Sequence, residues 1–154
     1  MAVKSCHCLL VILTLGSCAK APDPLTVRQY QLRDQVSLDA DEPMMRLEKQ
    51  RRLLGAVSME ERRAKLGQYY TLLWQDEARA GSGEAEIIFE YQQGATASKV
   101  KRRVKKFPSS DHSGKAEFSF IGDDYFKGGK VLAWKATLQR GKTVVATRKS
   151  YLWQ

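Results

Sequence analysis

Side chains that commonly perform catalysis are scarce in this sequence. Beyond residue 18 the 154-residue chain has one histidine, His112, and no cysteine. Ser109, Asp111 and His112 have the side chains of a hydrolase triad, but neighbours in one loop cannot act as nucleophile, base and orienting group, which normally come from distant segments. We therefore expect no catalytic residues and a non-enzymatic protein.

A second small group of acidic residues is the only candidate for metal chemistry. Asp123 and Asp124 are adjacent, Glu117 is near them in sequence, and calcium prefers several carboxylate oxygens. A calcium loop, however, needs alternate acidic residues around a central glycine, and zinc lacks ligands here. We expect no metal or cofactor site, and the alternative is a hydrolase or metal-dependent enzyme that uses Asp123, Asp124 and His112.

The strongest electrostatic feature is the basic segment from Lys99 to Lys106. Side chains two residues apart share one face of a β-strand, so the segment predicts a row of cations: Lys99, Lys101, Arg103 and Lys105. Two interpretations are open. The row is a candidate polyanion-binding surface for anionic lipid, lipopolysaccharide, a cell-wall polymer or an acidic partner, or it is an edge strand whose lysines prevent aggregation between sheets.

The first 18 residues have the features of a secretory signal. Lys4 supplies a positive charge, and an apolar run from Leu9 to Leu15 follows. That run is shorter than the about 20 apolar residues of a membrane-spanning helix. We therefore expect a cleaved signal peptide over 1–18.

The end of this segment resembles the lipobox of bacterial lipoproteins. Leu15-Gly16-Ser17-Cys18 combines an aliphatic residue, two small residues and a cysteine. The resemblance implies cleavage before Cys18, a diacylglycerol on its thiol and usually an acyl chain on the new amino group. Because Ala19 rather than Asp follows, it also implies outer-membrane sorting in a Gram-negative host.

Composition and charge describe the rest of the chain. About 136 residues remain after residue 18, which is enough for one domain. The full 154-residue chain has a net charge of +9, with 28% charged and 43% apolar residues, which is typical of a folded globular protein. Export to the cell envelope, which the signal peptide predicts, disfavours nucleic acid as a partner. Residues 19–24 contain two prolines and predict a short tether of about 20 Å. Partners should therefore be membrane-proximal envelope proteins or anionic polymers.

Two helices and one strand are predicted over residues 25–67. Leu25 to Arg33 suggests an edge strand, and Asp41-Glu42-Pro43 is typical of a helix start. Met44, Leu47, Arg51 and Leu54 recur at helical spacing before Gly55, which predicts an apolar stripe that packs on the core. Ser58 and Glu61 fit a capping box for a second helix that ends near Gly67.

From Gln68 onward the hydrophobic period changes to two, which predicts strands over 68–154. Turns are expected at Ala78–Gly83 and at Gly122-Asp123-Asp124. A hairpin should run from Val131 through Gly141-Lys142 to Trp153; without a bulge it pairs Trp134 with Lys149 and Leu138 with Val145. This predicts an α+β, mainly β fold, with short N-terminal helices packed on a small antiparallel β-sandwich.

The closing hairpin, with its tryptophan, resembles the last two strands of an immunoglobulin- or fibronectin-type domain. This resemblance concerns the fold pattern and implies no activity. Taken together, the sequence favours a membrane-anchored envelope lipoprotein that serves as a binding or structural accessory module.

Overall fold

Antiparallel strands dominate the computed structural model, which describes residues 23–34, 42–76, 83–96 and 98–154. Seven strands lie within those residues and form two sheets, ordered β1-β2-β5 and β4-β3-β6-β7. The strands are β1 (Leu25–Leu32), β2 (Gly67–Gln75), β3 (Ala85–Gln93), β4 (Lys101–Phe107), β5 (Ser113–Ile121), β6 (Val131–Arg140) and β7 (Thr143–Lys149). The structure confirms the mainly β class, and it confirms β1 as an edge strand.

Three short helices accompany the sheets in the described residues. They are α1 (Pro43–Leu53), α2 (Met59–Lys65) and α3 (Asp123–Gly128), and a single 3-10 turn covers Gly94–Thr96. The capping box is confirmed, because the Glu61 amide donates to Ser58 Oγ and the Ser58 amide donates to the Glu61 carboxylate. Gly55, just past the end of α1, has φ +81° and open space around it, as a glycine that ends a helix requires.

The hydrophobic core lies between the two sheets. Alternate residues of each strand point inward, as the period of two predicted. Phe89 of β3 is at the centre, with the rings of Tyr70 and Phe118 from the opposite sheet at centroid distances of 4.9 and 5.1 Å. A smaller cluster of Leu32, Leu66 and Tyr69 lies on the outer face of the three-stranded sheet, where Leu53 of α1 packs against it.

The final hairpin has a different register from the predicted one. Arg140 pairs with Thr143 as expected, but a bulge between Leu138 and Gln139 then moves the partner strand by one residue. Lys149 therefore lies opposite Lys135, not Trp134, and Leu138 lies opposite Ala146, not Val145. β7 also ends at Lys149, so the strand does not continue to Trp153.

Two further predictions are wrong. Gly122-Asp123-Asp124, expected to be a turn between strands, begins helix α3, with Gly122 at its N-cap. The Met and Leu stripe of α1 was expected to pack on the core, yet Met44, Leu47 and Leu54 are exposed. Met59 of α2 is exposed as well.

Some predictions lie outside the described residues. These are the signal peptide over 1–18 with Cys18, most of the tether over 19–24, and most of the turn at Ala78–Gly83. At the described end of the tether, the Pro24 carbonyl accepts a hydrogen bond from the Gln75 amide at 2.9 Å, and Asp23 pairs with Arg148 of β7 at 2.8 Å. The chain therefore enters the sandwich between the β1 and β7 edges.

Candidate functional surfaces

The basic row lies on β4, an edge strand of the four-stranded sheet. Lys101, Arg103 and Lys105 share one face as predicted, but that face is the inner one. Arg103 is paired across the ladder with the buried Phe89, and Lys105 with the buried Ile87. Lys99 is exposed just before the strand begins. The row therefore covers the lateral gap between the two sheets.

Arg103 is held by contacts inside the protein. Its guanidinium donates to the Ser119 carbonyl at 2.8 Å and to Asp124 at 2.7 Å, and its centre lies 4.4 Å from the Phe120 ring centroid. These contacts link β4 to β5 and to α3. Arg103 thus joins the two sheets at their open side, a role that its position in a basic segment did not reveal.

The other members of the row are engaged to different extents. Lys101 Nζ donates to the side chain of Gln93, a buried residue, at 2.8 Å. Lys105 Nζ lies 5.8 Å from the Phe118 ring centroid and is exposed. A polyanion would therefore meet mainly Lys99 and Lys105, with the exposed Arg102 on the outer face of the same strand.

The residues of the hydrolase alternative are far apart. His112 directly precedes β5, and Asp123 and Asp124 follow its last residue. The nine residues of β5 separate the two ends by about 26 Å at the usual rise of a strand. Asp123 is bonded to Lys127 and Asp124 to Arg103. These three residues do not form one site, and within the described ranges no group of three or more His, Cys, Asp or Glu side chains is arranged to hold a metal ion.

A buried ion pair at one end of the sandwich was not anticipated from the sequence. Asp76 and Arg140 have side chains only 2% and 3% exposed, and Arg140 Nε donates to Asp76 Oδ2 at 2.6 Å. The same guanidinium donates to the carbonyls of Gly83, Ser109 and Asp111. Arg140 therefore joins the β2–β3 and β4–β5 connections to the end of β6. Its inward position, two residues after buried Leu138, is the one sequence signal for this role.

Helix α1 lies with its charged side against the outer face of the three-stranded sheet. The Arg52 guanidinium centre lies 4.1 Å from the Tyr69 ring centroid, and Arg52 pairs with Glu117 of β5 at 3.5 Å. Arg51 and Arg52 both bond Glu48. The Arg51 guanidinium beside Glu48, together with Arg52, lowers the pKa of that carboxyl to about 2. Leu53 packs against Leu32, Leu66 and Tyr69 on the same face of the sheet. The charged contacts and this apolar contact together fix which side of the helix faces the sheet.

Exposed apolar residues lie on the side of α1 that faces away from the sheet, and at its C-terminal end. Met44, Leu47 and Leu54 are 75%, 60% and 80% exposed. Met44 and Leu47 share one side of the helix with Arg51, and Leu54 follows the last helical residue. We call these three residues the outward stripe. Val57, in the connection to α2, is exposed close to them in sequence. A folded domain rarely leaves several large apolar side chains together in water unless they have a binding role.

Comparisons with protein-family models, curated proteins and solved structures found no match. Among the residues that the structure describes, no helix has the length and apolarity needed to cross a bilayer.

Proposed function

We propose that the protein is a lipoprotein of the bacterial cell envelope, anchored through Cys18, whose sandwich domain is a non-enzymatic binding or structural accessory module. The observation that carries the binding role is the outward stripe, because α1 turns Arg52 and Leu53 towards the sheet and leaves large apolar side chains exposed on its other side. The anchor rests on the lipobox-like Leu15-Gly16-Ser17-Cys18. In a Gram-negative host the outer membrane is the proposed location.

The structure of the domain supports a module that binds through its surface. The space between the sheets is filled by aromatic and aliphatic side chains, and the ionisable residues considered for catalysis are spread over opposite ends of β5. The chemistry available on the described surface is apolar contact through the outward stripe and charge attraction through exposed cations.

The test is a single substitution, Cys18→Ala, in the producing cell. The proposal expects the variant to leave the membrane fraction and to lose incorporation of a radiolabelled or alkyne-tagged fatty acid. Ser17→Ala is a matched control, because it keeps a small residue before the cysteine. Unchanged membrane partitioning and acyl labelling in Cys18→Ala would refute the anchor.

A second candidate function is polyanion binding by the basic segment. Lys99, Arg102 and Lys105 are exposed on or beside one edge strand, and each cation near an anionic surface contributes about 1 kcal/mol. Replacing these three residues by Gln should abolish salt-sensitive binding to cell-wall fragments. Binding that is unchanged would favour protection of the sheet edge as the role of the segment.

We also propose a likeness in fold pattern to immunoglobulin- and fibronectin-type domains. Seven antiparallel strands in two facing sheets support it. In a constant-type immunoglobulin domain the fourth strand belongs to the sheet of the first, second and fifth, whereas here β4 pairs with β3. The likeness therefore concerns architecture and carries no activity.

A further inference from the structure

We propose that the outward stripe rests on the anionic surface of the same membrane that holds the lipid anchor, so that the domain lies on its α1 side. This inference builds on the proposed function, since the anchor brings the domain to the bilayer. It adds the surface that faces the lipid and the chemistry of that lipid.

Contacts of α1 with the sheet fix the direction in which the outward stripe points. Arg52, with its side chain 12% exposed, is clamped between Tyr69 and Glu117, so rotation of α1 would break these contacts. Met44 and Leu47 are consequently held on the side that faces away from the sheet. An interfacial helix inserts such apolar residues at the boundary between headgroups and acyl chains while its charged residues stay at the headgroup level.

The segment that contains α1 and α2 has a net positive charge. Residues 42–66, which contain α1 and α2, have seven basic and four acidic side chains. A second copy of this chain would bring the same positive excess against itself, and like charges oppose such a contact. A surface of anionic headgroups instead complements it. Among the possible occupants of the stripe, an anionic bilayer therefore fits best.

The chain between Cys18 and β1 is short, which limits the surfaces of the domain that can touch the membrane. The chain from Cys18 to Leu25 spans at most about 25 Å when fully extended, and a helix with its side chains is about 10–12 Å thick. An acylated Cys18 can therefore lie in the membrane while α1 separates the sheet from it. The far end of the sandwich, where the Val131 amide donates to the Gln68 side chain, also has an exposed apolar residue, Leu132, but β1 alone extends about 23 Å away from Leu25. Contact there would need a fully stretched chain.

A depth measurement on the mature, lipidated protein in its own membranes tests the inference, because cleavage before Cys18 removes Cys6 and Cys8 and the anchor occupies the Cys18 thiol. Leu47→Cys and Val144→Cys each introduce one thiol, for labelling with an environment-sensitive fluorophore. Val144 is the matched control because it is an exposed apolar residue on the outer face of the other sheet. We expect blue-shifted emission and at least about twofold quenching by headgroup-labelled lipid at position 47 only. Equal quenching at both positions would overturn the proposal.

A second measurement separates this inference from the anchor. Full-length Cys18→Ala protein is mixed with vesicles of phosphatidylglycerol or of phosphatidylcholine, and Leu47→Gln and Val144→Gln are compared in that background. Losing one buried leucine contact should weaken partitioning to the anionic vesicles roughly tenfold, whereas Val144→Gln should leave it unchanged. Equal partitioning of the two variants would refute membrane docking, and so would crosslinking between copies through position 47 without vesicles. Neither outcome depends on whether Cys18 is lipidated in the cell.

Discussion

Removing the carboxylate of Asp76 should destabilise the whole domain. Arg140 is almost completely buried, and Asp76 is its one anionic partner among the described contacts; its other hydrogen bonds go to three neutral carbonyls. In Asp76→Ala the guanidinium keeps its charge, because arginine does not deprotonate in proteins. The variant therefore retains a buried cation that no carboxylate balances.

The size of the effect follows from that burial. Breaking a buried ion pair by removing one partner costs about 3–5 kcal/mol, a large share of the about 5–15 kcal/mol that stabilises a typical domain. With a urea slope of about 1.5 kcal/mol/M, the unfolding midpoint should fall by about 2–3 M. Replacing both residues, in Asp76→Ala/Arg140→Met, should recover most of the loss because the uncompensated charge is gone.

Urea unfolding followed by tryptophan fluorescence measures this prediction. Asp123→Ala is the control, because Asp123 and Lys127 form an ion pair whose side chains are 83% and 79% exposed; its midpoint should match that of the wild type. If Asp76→Ala unfolds at the same urea concentration as Asp123→Ala, the buried pair of Asp76 and Arg140 does not stabilise the domain as proposed.

Three further perturbations have definite expected results. Arg51 and Arg52 lower the pKa of Glu48 from its ordinary value of 4.5 to about 2. The carboxylate therefore stabilises the fold above pH 4.5 and loses that effect as the pH falls towards 2, so the urea midpoints of wild type and Glu48→Gln should differ at pH 7 and converge near pH 2. Arg103→Gln should lower stability by about 1 kcal/mol through the lost bonds between the sheets, whereas exposed Lys105→Gln should not, as thermal unfolding would show. Gly67→Ala should destabilise by about 2 kcal/mol or more, measured in the same way, because its φ is +145° and a Cβ atom there would lie 2.1 Å from the Phe120 carbonyl oxygen.

Local patterns in the sequence predict most of the elements. The alternation of Ile87, Phe89 and Tyr91 gives β3 and its inward face, and Ser58 with Glu61 gives the start of α2. Gly141, with φ +55°, gives the turn between β6 and β7. Each of these depends on residues close in sequence, so short-range chemistry is sufficient.

Features that depend on distant contacts could not be predicted in this way. The stripe of α1 has the spacing of a core-facing helix, but residues distant in sequence bind the other side of the helix instead. Tyr69 and Glu117 contact Arg52, and Leu53 packs against the same face of the sheet. No turn residue near Leu138 indicates a β-bulge there. The bulge shifts the pairing of β6 and β7 by one residue, so Lys149 lies opposite Lys135 and not opposite Trp134. Arg103 belongs to a basic segment, and only the approach of β5 and α3 gives it partners.

The mass of the N-terminal peptide of the protein, extracted from membranes with detergent, tests the lipid anchor most directly. The account predicts a mature chain that begins at Cys18 and carries the mass of a diacylglycerol, with a further acyl chain on the amino group in hosts that add one. A peptide that contains an unmodified Cys18, or a mature chain that begins at another residue, would contradict it.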